Sequence, residues 1–334
     1  MLQATVDRHF GIENVHWGEG VAPVPQEGQV LVRMRAASLN FRDLLVATGK
    51  YNPKMPLPRV LLSDGAGEVV ALGSGVEAWR VGDRVAGIFM QTWLAGRIAP
   101  DSGNSALGGA IDGVLAEEIA VNQNALVAIP AHLSFEEAAT LPCAAVTAWN
   151  ALMWSGGLRP GETVLVQGSG GVSVFALQFA KMAGARVVAI TSTPERMERL
   201  KSLGADWVLN YRDDANWGRT ISKAGGVDHV VEVGGTGTLE QSIGAVRAGG
   251  RVSVIGILSG IAGALNIGPI LHKNVTMQGI YVGSREMFEQ MNAAIALHRM
   301  QPVIDRVFEA PQIQNALRRM EAAGHFGKIV MRIA

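Results

Sequence analysis

The sequence predicts an α/β fold organised around a doubly wound parallel sheet, and three observations predict it. Thr163 to Val166 is an unbroken β-prone run, as in a strand buried on both faces. The run stops at Gly168, after which Val172, Phe175, Phe179 and Met182 recur at helical spacing as far as Gly184, a glycine suited to a helix C-cap. Further short apolar runs then alternate with helical patterns, as parallel βαβ units require.

Each element follows in order. Gln29 to Arg35 alternates like a half-buried strand, Leu62 to Ala71 is glycine-rich and then strand-like, and Gly82 to Val85 turns into another strand. Gln91 to Gly113 is rich in Gly, Ala and Ser with Trp93 as its large aromatic, and reads as a long surface loop, a kind of segment that often carries function. Ser134 followed by Glu136 and Glu137 predicts a capped helix running through Trp149 towards Leu152. Arg186–Ser192, Asp206–Tyr211, Val227–Val233 and Arg251–Gly256 read as the second to fifth parallel strands, with a helix over Glu195–Leu203. Beyond them come a strand at Val275–Tyr281, a helix from about Arg285 to His298, and a terminal strand at Gly327–Arg332.

The turn after the first strand reads Gly168-x-Gly170-x-x-Ser173. Gly168 permits the tight turn, Gly170 lets a diphosphate approach the backbone, and the helix that begins around Gly171 and Val172 offers N–H groups to the anion. Ser173 stands where a third glycine is usual and adds little bulk. With strands and helices alternating around it, the turn reads as a dinucleotide site. An NAD-preferring site places a carboxylate about 20 residues past the glycines to hold the ribose 2′-OH. Here stand Thr191, Ser192 and Thr193, with Arg196 in the next helix. Hydroxyls and a guanidinium attract a 2′-phosphate that a carboxylate would repel, so NADPH is the expected cofactor.

Composition narrows the rest. The chain of 334 residues is long enough for two domains, and 48% of it is hydrophobic against 17% charged. Lys plus Arg, at 29, equals Asp plus Glu, at 29, which argues against a nucleic-acid partner. The N-terminus is alternating and charged, unlike a signal peptide, and no run is long and apolar enough for a membrane span. A single cysteine, Cys143, excludes an internal disulfide and fits a reducing cytoplasm. On an apolar helix it reads as a small buried hydrophobe. The seven histidines form no close pair.

Asn40–Asp43 (Asn-Phe-Arg-Asp), Asp64–Glu68, Gly82–Val85, Leu141–Trp149, Val164–Ser173, Gly204-Ala205 with Asn210-Tyr211, and Gly327–Val330 occur in an order and spacing that resemble the medium-chain dehydrogenase/reductase superfamily over essentially the whole chain. The zinc-independent quinone oxidoreductase-like branch is most similar, and Asn-Phe-Arg-Asp also resembles polyketide-type enoyl reductases. The resemblance implies a GroES-like catalytic domain over residues 1–125 and 271–334 around an inserted Rossmann domain over 126–270. It implies that Tyr211 lies beside Arg196 at the 2′-phosphate. It also implies that the nicotinamide carboxamide meets backbone around Ile255, Ile257 and Tyr281. Zinc-using members carry Cys where Asn40 stands, His where Ser63 stands and a third ligand near Cys143, so no bound metal is expected.

Asn40, in the lost ligand slot, is then implied to touch the nicotinamide ribose or the substrate. Without a Lewis acid, conjugated quinones and enones are easier acceptors than simple ketones, since hydride adds to carbon while charge spreads to a distant oxygen. Arg42 either pairs with Asp43 or orients an oxyanion. Tyr51 and Tyr281 are candidate proton donors. The expected activity is NADPH-dependent, zinc-independent reduction of a quinone, enone or related carbonyl. An alcohol or aldehyde dehydrogenase and a non-catalytic NADPH-binding regulatory protein are the alternatives. The absence of G-x-S-x-G, H-E-x-x-H and P-loop motifs leaves hydrolase and P-loop readings without support. The strand at Val275–Ile280 is apolar enough to need covering, and the resemblance implies a homodimer that pairs it with its own copy.

Overall fold

The computed structural model describes residues 1–333. They form two compact units, Met1–Val146 with the segment from Gly283 onward, and Thr147–Val282. These limits differ from boundaries at 125/126 and 270/271. Leu126–Ala128 is a strand of the first unit's sheet, and Thr276–Gly279 is the last strand of the second unit's sheet. Backbone ladders therefore fix both segments.

The first unit is mostly β. One sheet runs in the order Ile304–Glu309, Lys328–Arg332, Gln29–Leu39, Asp64–Leu72, Arg84–Gly87, Leu126–Ala128, and Glu118–Asn122 also pairs with Gln29–Leu39. The strand Gln29–Leu39 is longer than its alternating half indicates, because its second half, Ala36 to Leu39, is buried on both faces. A smaller sheet joins Val15–Glu19, Leu2–Val6 and Arg59–Val60. Val32, Met34, Leu39, Leu61 and Ile329 share one core between these layers. The helix Arg285–His298 falls where its pattern predicts, capped by the Ser284 hydroxyl accepting from Met287 N–H.

The second unit is a six-stranded parallel sheet. Its elements are β1 (Thr163–Gln167), α1 (Gly171–Met182), β2 (Arg186–Thr191), α2 (Pro194–Ser202), β3 (Trp207–Asn210), α3 (Trp217–Lys223), β4 (Val227–Glu232), α4 (Leu239–Ala245), β5 (Val246–Val254) and β6 (Thr276–Gly279). The order β3-β2-β1-β4-β5-β6 reverses direction at β1, the arrangement that opens a crevice at the carboxyl ends of β1 and β4. Leu165, Val188, Val230 and Val252 from four neighbouring strands make its core with Trp217 and Ile221 of α3.

The segment after Ser134 departs from a continuous α-helix. Ser134 caps Phe135–Ala138 as expected, with Glu137 returning a bond to the Ser134 N–H at 2.8 Å. The chain then widens into π turns at Leu141–Ala145 and Asn150–Trp154 around a short α turn, Val146–Trp149. Pro142 has no N–H to give an α ladder, and π turns of this kind cluster at functional positions. Among the described residues no helix is long and apolar enough to cross a membrane.

Candidate active site

The parallel unit builds a dinucleotide cradle from its first crossover. Gly168 has φ 72°, left-handed backbone in which a side chain would be strained. A Cβ added at Gly168 or Gly170 would meet nothing, so the turn is open on the side where a diphosphate comes close. Gly170 is the N-cap of α1 and no side chain caps it, which leaves the N–H groups around Gly171 and Val172 to a ligand. Ser173 Oγ donates to Gln167 O at 2.5 Å, so the hydroxyl in the third-glycine position ties the helix back onto β1. At the end of β2, Thr191 is buried and its Oγ1 has no hydrogen-bond partner. Thr193 caps α2, and Ser192 Oγ accepts from Arg196 Nη1 at 3.4 Å. Tyr211 N–H donates to Thr191 O at 3.0 Å. Thr191, Ser192, Arg196 and Tyr211 thus converge on one corner of the sheet.

The carboxyl end of β4 holds a residue that pattern reading overlooked. Glu232 is fully buried, and among the described residues the donors that hold it are all neutral. Its Oε1 accepts from Gly234 N (2.7 Å), Gly235 N (3.0 Å) and Thr238 Oγ1 (2.6 Å), and its Oε2 accepts from Gln167 Nε2 (2.7 Å) and from Ser242 Oγ. Five donors satisfy the charge and fix the turn that follows β4. Gly235 packs so closely on the stretch holding Ile257 that a Cβ there would stand 2.3 Å from Gly260 O. Ile255 donates its N–H to Glu232 O at 2.8 Å, while Ile257 and Tyr281 are exposed in the same unit. The signal in the sequence is a glutamate closing the strand Val227–Glu232 just ahead of the Gly234-Gly235 pair.

In the mostly-β unit a second polar network surrounds Asn40. Lys328, 3% exposed, donates from Nζ to Leu39 O and to Asn40 Oδ1, both at 2.6 Å, and lies 3.8 Å from Asp64. An ammonium only donates, so the amide oxygen must face it and the amide nitrogen must face Ser63 Oγ, 3.4 Å away. Ser63 Oγ in turn donates to Asp64 Oδ1 at 2.8 Å, and Asp64 Oδ2 accepts from Cys143 N–H at 3.0 Å. Burial pushes the Asp64 carboxyl up, and Lys328 opposes that shift. Cys143 is half-buried, in a π turn instead of the expected α-helix. Burial and the Asp64 charge push its thiol far up.

Arg42 and Tyr51 lie apart from that network, beside a cavity. The Arg42 guanidinium carbon is 5.0 Å from the Tyr51 ring centre and 4.7 Å from that of Phe89. Nη1 donates to Leu107 O at 2.7 Å and stands 4.0 Å from Asp43 Oδ1. Asp43 accepts from Asn40 N–H at 2.7 Å, and burial pushes its carboxyl up to about 6 against the pull of Arg42. The Arg42–Asp43 pairing is therefore long and one-sided.

The comparisons with known proteins bear on this geometry. Residues 26–131 match the model of the alcohol dehydrogenase GroES-like domain, and residues 171–297 match that of the zinc-binding dehydrogenase. A zinc-type alcohol dehydrogenase-like protein of Schizosaccharomyces pombe is 43% identical over 322 residues, covering 93% of each chain. The chain belongs to the medium-chain dehydrogenase/reductase superfamily. A solved structure of a putative alcohol dehydrogenase from Sinorhizobium meliloti superposes with TM-score 0.92 at 37% identity, covering 99% of this chain and 98% of the other. A quinone oxidoreductase of Lama guanicoe is 28% identical over 92% of this chain and 90% of its own. The protein is an alcohol dehydrogenase-like oxidoreductase, and a nicotinamide cofactor goes with that membership. The cradle at Gly168–Val172 fits such a group.

Zinc does not fit the residues around Asn40. The Asn40 amide and the Ser63 hydroxyl are poor donors for the ion, a single thiol is left where a catalytic zinc needs three protein ligands, and the Lys328 ammonium already lies against the amide oxygen. Among the described residues no three His, Cys, Asp or Glu side chains are grouped to hold a metal.

Proposed function

We propose that the protein is an NADPH-dependent, zinc-independent reductase of quinones, enones or related conjugated carbonyls. The observation that carries this reading is Lys328 Nζ at 2.6 Å from Asn40 Oδ1, a fixed cation among the side chains where zinc-using relatives would need ligands. The nicotinamide supplies the hydride when bound. The Gly168–Val172 turn binds its diphosphate, Arg196 with Ser192, Thr191 and Tyr211 takes the 2′-phosphate, and backbone around Ile255, Ile257 and Tyr281 orients the carboxamide. Asn40 is held for contact with the nicotinamide ribose or the substrate, and Tyr51 and Tyr281 are the candidate proton donors. A conjugated acceptor suits a site without a Lewis acid, because the negative charge is delocalised as it forms.

The test is an acceptor screen following NADPH absorbance, with metal content measured on the same sample. Turnover of quinones or enones by metal-free protein is expected. One tightly held zinc per chain, lost together with activity on chelation, would overturn the reading. Arg196→Ala should weaken NADPH by about 1.5–3 kcal/mol, roughly 10- to 100-fold, and NADH little. Equal affinity of the unmutated protein for both cofactors would defeat the NADPH assignment.

The same reading includes a homodimer through the strand at Val275–Ile280. Among the described residues β6 is the edge of its sheet and pairs with β5, and Ile261, Ile267 and Leu271 in the segment leading to it are exposed. An unprotected apolar edge invites pairing with its own copy. Sedimentation at micromolar concentration should show a dimer that Met277→Pro disrupts. A monomer that still binds NADPH would rule it out.

A further inference from the structure

The backbone just beyond β6 is held in a strained conformation. Val282 is buried and has φ 58°, in the left-handed region. A β-branched residue is an outlier there, at a conformation that glycine takes freely. Asn274, Arg299 and Ala323 also have positive φ, but they stand at or just past the ends of helices, where a left-handed residue is the ordinary cap. Val282 ends no helix. Strain of this kind persists only where neighbours over-determine it, and it gathers at functional positions.

The neighbour that holds Val282 is Asn150. Its buried amide donates from Nδ2 to Val282 O at 2.7 Å. A carbonyl only accepts, so the amide nitrogen must face it, and Oδ1 is then turned to the Ser155 hydroxyl, which donates to it at 2.8 Å. Asn150 opens the second π turn, and Ser155 N–H closes that turn on Asn150 O at 2.8 Å. From the same turn Ala151 O accepts from Ser253 Oγ, near the end of β5, at 3.4 Å. One widened turn thus grips both β5 and the segment that follows β6.

The glycine turn after β1 and the corner at the end of β2 suit the diphosphate and the adenosine side of a dinucleotide. Its nicotinamide end therefore belongs on the other side of the switch, where β4, β5 and β6 finish. Ile280 N–H continues the β6 ladder onto Val254 O at 2.9 Å, and at exposed Tyr281 the chain leaves the sheet. The φ torsion of Val282 joins the Tyr281–Val282 peptide to the residue whose carbonyl Asn150 holds, so fixing the one aims the other.

We propose that Asn150 is a positioning residue for the nicotinamide, holding Val282 left-handed and thereby aiming the Tyr281–Val282 peptide at the carboxamide. The inference rests on the reading that backbone around Ile255, Ile257 and Tyr281 meets the carboxamide. Asn150 acts through Val282 and not by contact with the cofactor.

The experiment compares NADPH with 2′-phospho-ADP-ribose, which lacks the nicotinamide, by calorimetric titration. The unmutated protein should bind NADPH about 10- to 30-fold more tightly, the worth of one or two hydrogen bonds. In Asn150→Ala that advantage should fall to about twofold or less, with the fragment bound as before. Ser155→Ala removes only the bond that orients the amide and should lower the advantage about threefold. In a Val282→Gly background, where the left-handed backbone needs no holding, the loss caused by Asn150→Ala should be about threefold smaller or less. A merely structural Asn150 would weaken both ligands together and show no such coupling. An advantage that persists in folded Asn150→Ala, an equal loss on both ligands, or a loss unchanged by Val282→Gly would overturn this inference and leave the carboxamide reading standing. Where Asn150→Ala does not fold, an unchanged advantage in Ser155→Ala overturns it instead. Equal binding of NADPH and the fragment by the unmutated protein would overturn the carboxamide reading, and this inference with it. If the protein prefers NADH, then NADH and ADP-ribose form the pair.

Discussion

The two units bury their carboxylates by opposite means. In the parallel unit, Glu232 is satisfied by neutral donors, three of them within six residues of it in the chain. In the mostly-β unit, Asp64 depends on Lys328, which reaches the Asn40 neighbourhood across 288 positions of sequence. One arrangement is local and follows from a strand running into a glycine turn. The other exists only when the terminal strand Lys328–Arg332 pairs with Gln29–Leu39. Neither network shows in strand and helix periodicity, since even the Glu232 cage takes Gln167 and Ser242 from outside its turn, but the Asp64 network needs partners from opposite ends of the chain.

Removing the long-range cation should break the contrast most sharply. Lys328→Met leaves Asp64 buried without its cation, which typically costs about 3–5 kcal/mol, read by urea unfolding. Adding Asp64→Asn should recover most of that loss. A single variant costing under about 1 kcal/mol would mean the lysine is not what compensates Asp64.

Asp43 sharpens the comparison through pH. Its folded carboxyl is pushed up to about 6 from an ordinary 3.8. Below pH 4 the group is protonated whether folded or unfolded and carries no penalty. As pH rises through 6 the folded state must ionise a buried carboxyl, and about 3 kcal/mol of stability is lost. Asp43→Asn should therefore gain on the unmutated protein by about that amount between pH 4 and pH 7. A difference independent of pH would show that Asp43 is not held up by burial.

The smallest effect belongs to the local side. Gly168→Ala places a side chain at φ 72° in open space, so only backbone strain acts, about 1 kcal/mol in thermal unfolding. A much larger loss would show that the crossover turn is tied to its surroundings as tightly as the Asn40 network.

Periodicity located the helix at Arg285–His298 and each parallel strand to within a few residues, save that β5 begins earlier, at Val246. Both are local signals, helical spacing for the one and unbroken apolar runs between glycine stops for the others. It missed the helix Ile313–Glu321 and the small sheet containing Leu2–Val6. It also extended an α-helix through Pro142, where an absent N–H lets the backbone widen into π turns. Thr191, Ser192 and Arg196 were legible because they stand within six residues of one another, whereas Tyr211 was placed there by the family resemblance, and the structure brings it alongside by pairing Thr191 with Asn210.

By itself, then, the sequence determined the parallel α/β unit, its glycine turn and the absence of zinc-ligand residue types at positions 40 and 63, since each is a property of residues close together in the chain or of residue identity. Only the tertiary structure decided the unit boundaries, the setting of Asn40 by Lys328, the five-donor cage on Glu232 and the bond of Asn150 to Val282. Those arise from strands and loops that meet across hundreds of positions, or from the packing of side chains whose partners no spacing announces.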